Sequence, residues 1–259
     1  LFAPEDLSIV KGDPSERRTF LDTLMTQVSP RLAGVRADYD RVLRQRNALL
    51  KTVGSAHRAA SAAVDATLAV WDEQLIALGA ELVHARLDLV GRLQPEFERG
   101  YDEISGGRGP AALSYQSAWA TAAVERSELE HALSTALEAR RREERDRGIT
   151  LVGPHRDDLA LTLEGNPVRG YASHGESWSV ALALRLASFA VLRADSGEDP
   201  ILILDDVFAE LDTHRRDCLA RHVEGVEQVL ITAAVEQDVP AASGAVIYDV
   251  VRGQVSRRG

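Results

Sequence analysis

The stretch "PILILDDVFAELD", residues 200–212, carries the reading of the fold. Ile201 to Leu204 are aliphatic and run directly into Asp205 and Asp206, and Asp212 lies six positions beyond. A short continuous apolar run reads as a strand buried on both faces. Ending such a strand in adjacent carboxylates is costly unless a cation or a reacting group sits beside them. In open α/β sheets the carboxyl ends of the strands are where ligands bind.

The surrounding segments fit that picture. "ESWSVALALRLASFAVLRA" before the stretch and "THRRDCLARHVEG" after it read as helices, "QVLITAA" as another strand and "AVIYDVVRGQVSR" as a last strand pair. Further upstream, "ITLVGPHRDDLALTLEGNPVRGY" reads as strands in a hairpin, with turns at Gly153-Pro154 and Gly165-Asn166. Strand–helix–strand alternation of this kind predicts a mainly parallel sheet covered by helices.

Before Gly148 the pattern is helical. Asp13 and Pro14 read as cap and first position of one helix, and a second follows Pro30 with Leu32, Val35, Tyr39, Val42, Leu43, Leu49 and Leu50. Val64, Leu68, Trp71, Leu75, Leu78, Leu82, Ala85 and Leu89 alternate steps of four and three, a heptad seam. Pro95 and "SGGRGP" at 105–110 are expected to interrupt it. A further helix is expected from about Ser114 to Arg147, with Trp119, Leu129, Leu133 and Leu137 on one side and Gly148 as its stop. Long helices joined by a Gly-rich turn should pack antiparallel. The expected fold class is α/β, with a helical arm over 14–147, a head lobe over 148–259, and the end of the head's first lobe at 1–13.

The chain of 259 residues, 45% apolar, can bury a core. One cysteine, Cys218, excludes an internal disulfide framework and suits a reducing, cytoplasmic location. No signal-peptide pattern is present, and no apolar run is read as reaching the roughly 20 residues of a membrane helix, so no membrane partner is expected. A net charge of −10 argues against a general nucleic-acid binder. The charge is uneven, however: Lys11 to Arg58 holds ten Lys/Arg against five Asp/Glu, while 59–139 holds five against thirteen. That basic stretch is either a solvated helix face or an electrostatic footprint. The opening "LFAPEDL", without methionine and apolar from the start, leads us to expect a piece of a longer protein.

Three short segments carry chemistry. The strand ending in Asp205 and Asp206 has the Walker B form of nucleoside-triphosphatases, in which the first acid holds Mg²⁺ and the second orients and deprotonates water. "SHGESWS" at 173–179 opens a helix, so it either offers a hydroxyl and backbone N–H groups to an anion or forms an ordinary N-cap. "AELD" brings Asp212 into a turn before the next helix, where it too reads as a cap or as part of a site. All three in this order are far less expected by chance than each alone.

"SHGE", "ILILDD" and "AELD" resemble the signature, Walker B and D-loop motifs of ABC-type ATPases. More narrowly, "FAPEDLSIVKGDPSERRTFLD", "YDRVLRQRNALLK", "GPHRDDL" and "ILILDDVFAELDTHRR" resemble the RecF family of bacterial recombination mediators, a likeness running from Phe2 to about Thr232. The resemblance implies a partial ABC-type ATPase head with a helical arm. It implies ATP and Mg²⁺ as cofactors, with Asp205 on the metal and Asp206 as the catalytic carboxylate. The wider class usually has Glu at that second position. Ser173, Gly175 and Glu176 would meet ATP held by the other subunit of an ATP-dependent homodimer, with Asp212 at the interface. His155, Arg156 and Asp157 would lie near the nucleotide, in a role left open. Arg17, Arg18, Arg41, Arg44, Arg46 and Lys51 become candidate DNA contacts. The implied function is DNA replication and repair on single-stranded and double-stranded DNA at junctions, with a slow ATPase and partner mediators of the RecR and RecO type, within the SOS response and associated with the nucleoid.

Two features depart from the wider class. Ala233 follows "QVLIT" where many ABC-type ATPases have a γ-phosphate-sensing histidine, and neither Lys11 nor Lys51 sits in a G-x-x-x-x-G-K-[ST] loop. The resemblance places that P-loop upstream of Leu1, so residues 1–259 alone are expected to be inactive as an ATPase. The alternatives are another ABC-type ATPase (a transporter motor or a chromosome-structure protein) and a non-enzymatic helical interaction module.

Overall fold

The computed structural model describes residues 1–55, 62–120, 125–235, 239 and 245–258. After an isolated bridge at Phe2 come α1 (Leu7–Lys11), α2 (Pro14–Val28), α3 (Arg31–Ser55) and α4 (Ala62–Ser105). Then follow β1 (Ala111–Gln116), α5 (Arg126–Arg147), β2 (Asp158–Leu163), β3 (Asn166–Pro167) and the short turn α6 (Val168–Tyr171). The chain continues through α7 (His174–Ser196), β4 (Leu202–Asp205), α8 (Thr213–Val223), β5 (Val229–Thr232), β6 (Tyr248–Val251) and β7 (Gln254–Arg257).

The heptad seam forms and is half core. Leu68, Leu75, Leu82 and Leu89 are buried, while Val64, Trp71, Leu78 and Ala85 are partly covered. Ion pairs fix the directions of the three long helices. Arg46–Asp72 and Arg31–Glu81 run α3 antiparallel to α4, and Asp72–Arg141 and Glu81–Arg126 run α5 antiparallel to α4. Residues 56–61, between α3 and α4, lie outside the described residues.

Several expectations fail locally. Pro95 does not interrupt the seam helix, because it stands inside α4, which continues to Ser105. Proline removes one backbone bond, and the burial of Leu93, Phe97, Tyr101 and Ile104 around it holds the helix regardless. The helix expected from Ser114 instead begins at Arg126, and residues 121–124 of that expected helix lie outside the described residues. Ala111–Gln116 is strand β1, antiparallel to β2, and its Leu113 is buried together with Leu159 and Leu161 of β2. Trp119 is buried in the irregular segment after β1, outside α5. Asp13 makes no side-chain cap bond and pairs with Arg169 instead. Ile149–Asp157 is not a strand. The β2–β3 hairpin turns one residue earlier than the expected Gly165-Asn166, through Glu164 (φ 50°) and Gly165 (φ 79°), the two left-handed residues of a type I′ turn, while Asn166 pairs with Leu163.

The parallel ladder consists of β4 and β5, with Phe2 adding a parallel bridge to Leu204, while the strand pairs β1–β2, β2–β3 and β6–β7 are antiparallel. One core runs from Phe2 through the long helices to Leu219. At its centre lies α7, whose composition is apolar enough for a membrane crossing, contrary to the sequence reading. Two thirds of that stretch is buried inside this protein, and its Val180 to Leu184 have essentially no exposure. A helix apolar on all sides is what a core position calls for.

Candidate functional site

Strand β4 sets Asp205 and Asp206 at its carboxyl end, both exposed. The backbone N–H of Asp205 donates to the carbonyl of Phe2 at 2.9 Å, and its Oδ1 accepts from the Thr232 hydroxyl at 2.5 Å. Thr232 ends β5, so the neighbouring strand orients the first carboxylate. The Asp206 N–H donates to Thr232 Oγ1 at 3.1 Å. Asp206 adopts φ 52°, a left-handed conformation that short polar residues tolerate far better than Glu does. Ala233 follows β5 directly and is exposed.

Ser173 begins α7 in a reciprocal capping box. Its hydroxyl accepts from the Glu176 N–H at 3.3 Å, and the Glu176 carboxylate accepts from the Ser173 N–H at 2.7 Å. Those bonds hold the Glu176 carboxyl below the usual carboxylate range. The cap leaves Ser173 exposed at the helix N-terminus, where the dipole favours anions. Asp212 likewise caps α8, accepting the Arg215 N–H at 2.9 Å. Sequence reasoning passed over Arg215, which joins these segments by donating to Asp212 Oδ2 at 2.5 Å and to Ser179 Oγ at 2.8 Å. Its signal was a cation in the first turn of a helix, where the dipole disfavours one.

The "GPHRDDL" residues are tied into the helices. His155 Nδ1 meets the Tyr39 hydroxyl at 2.7 Å and Nε2 meets the Thr150 carbonyl at 3.2 Å. Since a carbonyl only accepts, Nε2 carries the proton and Nδ1 accepts from tyrosine. Burial pulls the imidazole down to about 4, and Arg156, Arg18 and Arg46 add to the shift. Asp157, 2% exposed, accepts from the Tyr115 hydroxyl at 2.8 Å, and burial pushes its carboxyl up to about 6. Arg156 reaches back to the Thr150 carbonyl at 3.1 Å. Every one of these side-chain bonds serves the junction of α3, β1 and the 149–157 segment.

Two candidate DNA contacts are corrected. Arg46, 1% exposed, donates to Asp72, Thr150 and Glu144, and Arg17, 6% exposed, forks onto Asp158. Burying an arginine requires such partners, so neither guanidinium can meet a phosphate backbone. Arg18 is half-buried on the Asp157 carbonyl, whereas Arg41, Arg44 and Lys51 are exposed on α3.

None of the protein-family models matches the chain. Among curated proteins, it is 55% identical over 258 residues to the "DNA replication and repair protein RecF" of Streptomyces avermitilis, covering 99% of this chain and 69% of that one. The chain belongs to the RecF family. RecF of Kineococcus radiotolerans is 55% identical (93% of this chain, 66% of that one), and RecF of Frankia alni 54% (99% and 69%). The chain thus spans about two thirds of the RecF proteins it matches. A solved structure of the recombination mediator protein RecF-ATPrS in the RecFOR pathway superposes with a TM-score of 0.86 at 27% identity, covering all of this chain and 67% of that one. The corresponding RecF-ATP structure gives 0.85, also at 27% identity. The partial ABC-type head with its helical arm is therefore the fold of RecF.

Proposed function

We propose that the protein is an ATP-dependent DNA-binding recombination mediator, acting within the cell at DNA junctions as a homodimer with RecO- and RecR-type partners. Residues 14–147 serve as its arm and 148–259, with 1–13, as part of its ATPase head. The observation that supports this best is the pair of exposed carboxylates at the end of β4, held by Thr232 from the parallel neighbour β5. The donor set fits Mg²⁺ shared with a phosphate. That ion usually takes one or two carboxylates plus phosphate oxygens and water. Among the described residues no group of three or more His, Cys, Asp or Glu gathers into a cage made of protein alone.

In this reading bound Mg-ATP supplies the phosphoanhydride that is hydrolysed. Asp205 would hold the metal, its carboxylate steadied by the Thr232 hydroxyl. Asp206 takes the proton of the attacking water. Ser173 keeps its cap by accepting from Glu176, which would leave its hydroxyl hydrogen free to donate to the phosphate of a partner's nucleotide. Gly175 and Glu176 complete that turn, and Asp212 lies where the two subunits meet. His155 and Asp157 act by holding arm to head through Tyr39 and Tyr115, and Arg156 by closing the 150–156 turn.

The test is Asp206→Asn in the full-length protein. Asn tolerates the same left-handed backbone, so the fold should survive while ATP turnover falls about 10²–10⁴-fold, the usual worth of a general base. Normal turnover by this variant would remove Asp206 from the role.

A further inference from the structure

Arg215 occupies the first turn of α8, where a cation opposes the helix dipole. Local preference therefore does not account for it, and its contacts do. Its backbone N–H and Nη1 both donate to Asp212, at 2.9 and 2.5 Å. Its Nε donates to Ser179 Oγ at 2.8 Å, and that hydroxyl donates in turn to the Gly175 carbonyl at 3.1 Å. The guanidinium lies flat against Gly175, so a Cβ added there would stand 3.3 Å from Nη1. The arginine side chain is 14% exposed although the Asp212 side chain that it holds is 57% exposed. One planar fork thus joins the loop before α8 to the first turns of α7.

We propose that Arg215 is a positioning residue that locks the Ser173–Gly175 turn to the Asp212 loop, so that a partner subunit meets both as one rigid surface. The proposal rests on the reading of Ser173 and Gly175 as phosphate contacts, and adds the residue that sets their geometry. Arginine suits the task because its planar fork donates in two fixed directions at once. A lysine in its place keeps the charge and can reach Asp212 or Ser179, but does not hold both in a fixed plane. An absent side chain at position 175 makes room for the fork.

The test compares wild type, Arg215→Lys and Ser179→Ala as full-length proteins. Two quantities are read: ATP affinity of the isolated subunit, and the protein concentration at which ATP produces half dimer by analytical ultracentrifugation. Arg215→Lys should bind ATP as wild type does yet need roughly 10- to 100-fold more protein to dimerise, the range for losing one hydrogen bond to a charged group. Ser179→Ala should shift dimerisation the same way by less, and adding Asp212→Asn to Arg215→Lys should cost little more. Dimerisation of Arg215→Lys at the wild-type concentration overturns the proposal. So does a parallel loss of ATP affinity and melting temperature, which marks a merely structural role. Wild-type protein that does not dimerise with ATP overturns the phosphate reading and this proposal together.

Discussion

At the scale of single residues, backbone conformation and burial assign the acids and bases. Asp206 stands in the left-handed region, where a short polar side chain is at home. His155 and Asp157 are neighbours with opposite linkage. The imidazole is pulled down to about 4 in the folded chain, so its contribution is fully present above pH 6.5 and is lost as pH falls toward 4. The Asp157 carboxyl is pushed up to about 6, so it favours the folded state increasingly as pH falls from 6 to 4. Each difference is about 3 kcal/mol at 1.36 kcal/mol per unit, and in the wild type the two largely offset. Urea unfolding of His155→Gln between pH 7 and 4 should show the variant gaining stability relative to wild type as the pH drops. Asp157→Asn should show the reverse slope. The motif was legible in the sequence as a cluster, but its burial was not, since no spacing rule states that Tyr39 and Tyr115 close over it.

At the scale of elements, periodicity predicted the long helices well, and punctuation predicted α2 starting at Pro14, α3 following Pro30 and α5 stopping at Gly148 but failed at Pro95. Pro95 reads as a break because it lacks an N–H, yet Leu93, Phe97 and Tyr101 are buried around it and carry α4 onward. Residues 114–116 read as the start of a helix and instead end a strand, 111–116, because β2, over forty residues later, offers it a ladder. Arg46 shows the same limit. In the sequence it belongs to a basic run; in the fold it is the hub linking α3 to Asp72 of α4 and Glu144 of α5. Replacing it by Met should leave Glu144 buried without a cation and Asp72 with Arg141 alone, at a cost of about 3–5 kcal/mol. Chemical denaturation would check this, and a variant as stable as wild type would return Arg46 to the surface.

At the scale of the whole molecule, an acidic chain presents a basic helix face. With Arg17 and Arg46 withdrawn into ion pairs, Arg41, Arg44 and Lys51 are the exposed cations left among the candidates on α3. The triple alanine variant of the full-length protein should lose DNA affinity and flatten the slope of log K against log salt by up to about 3, close to one unit per phosphate contact. An unchanged slope would place DNA on another surface. The sequence by itself determined the motif order, the heptad seam and the buried aspartate-ended strand, since each depends on residues close together in the chain. Those segments were enough to carry the RecF resemblance. The tertiary structure alone decided which charges face water, which proline a helix tolerates, and that Arg215 joins α7 to α8. These depend on partners brought from distant positions, and the burial that fixes their energies exists only once the chain has folded.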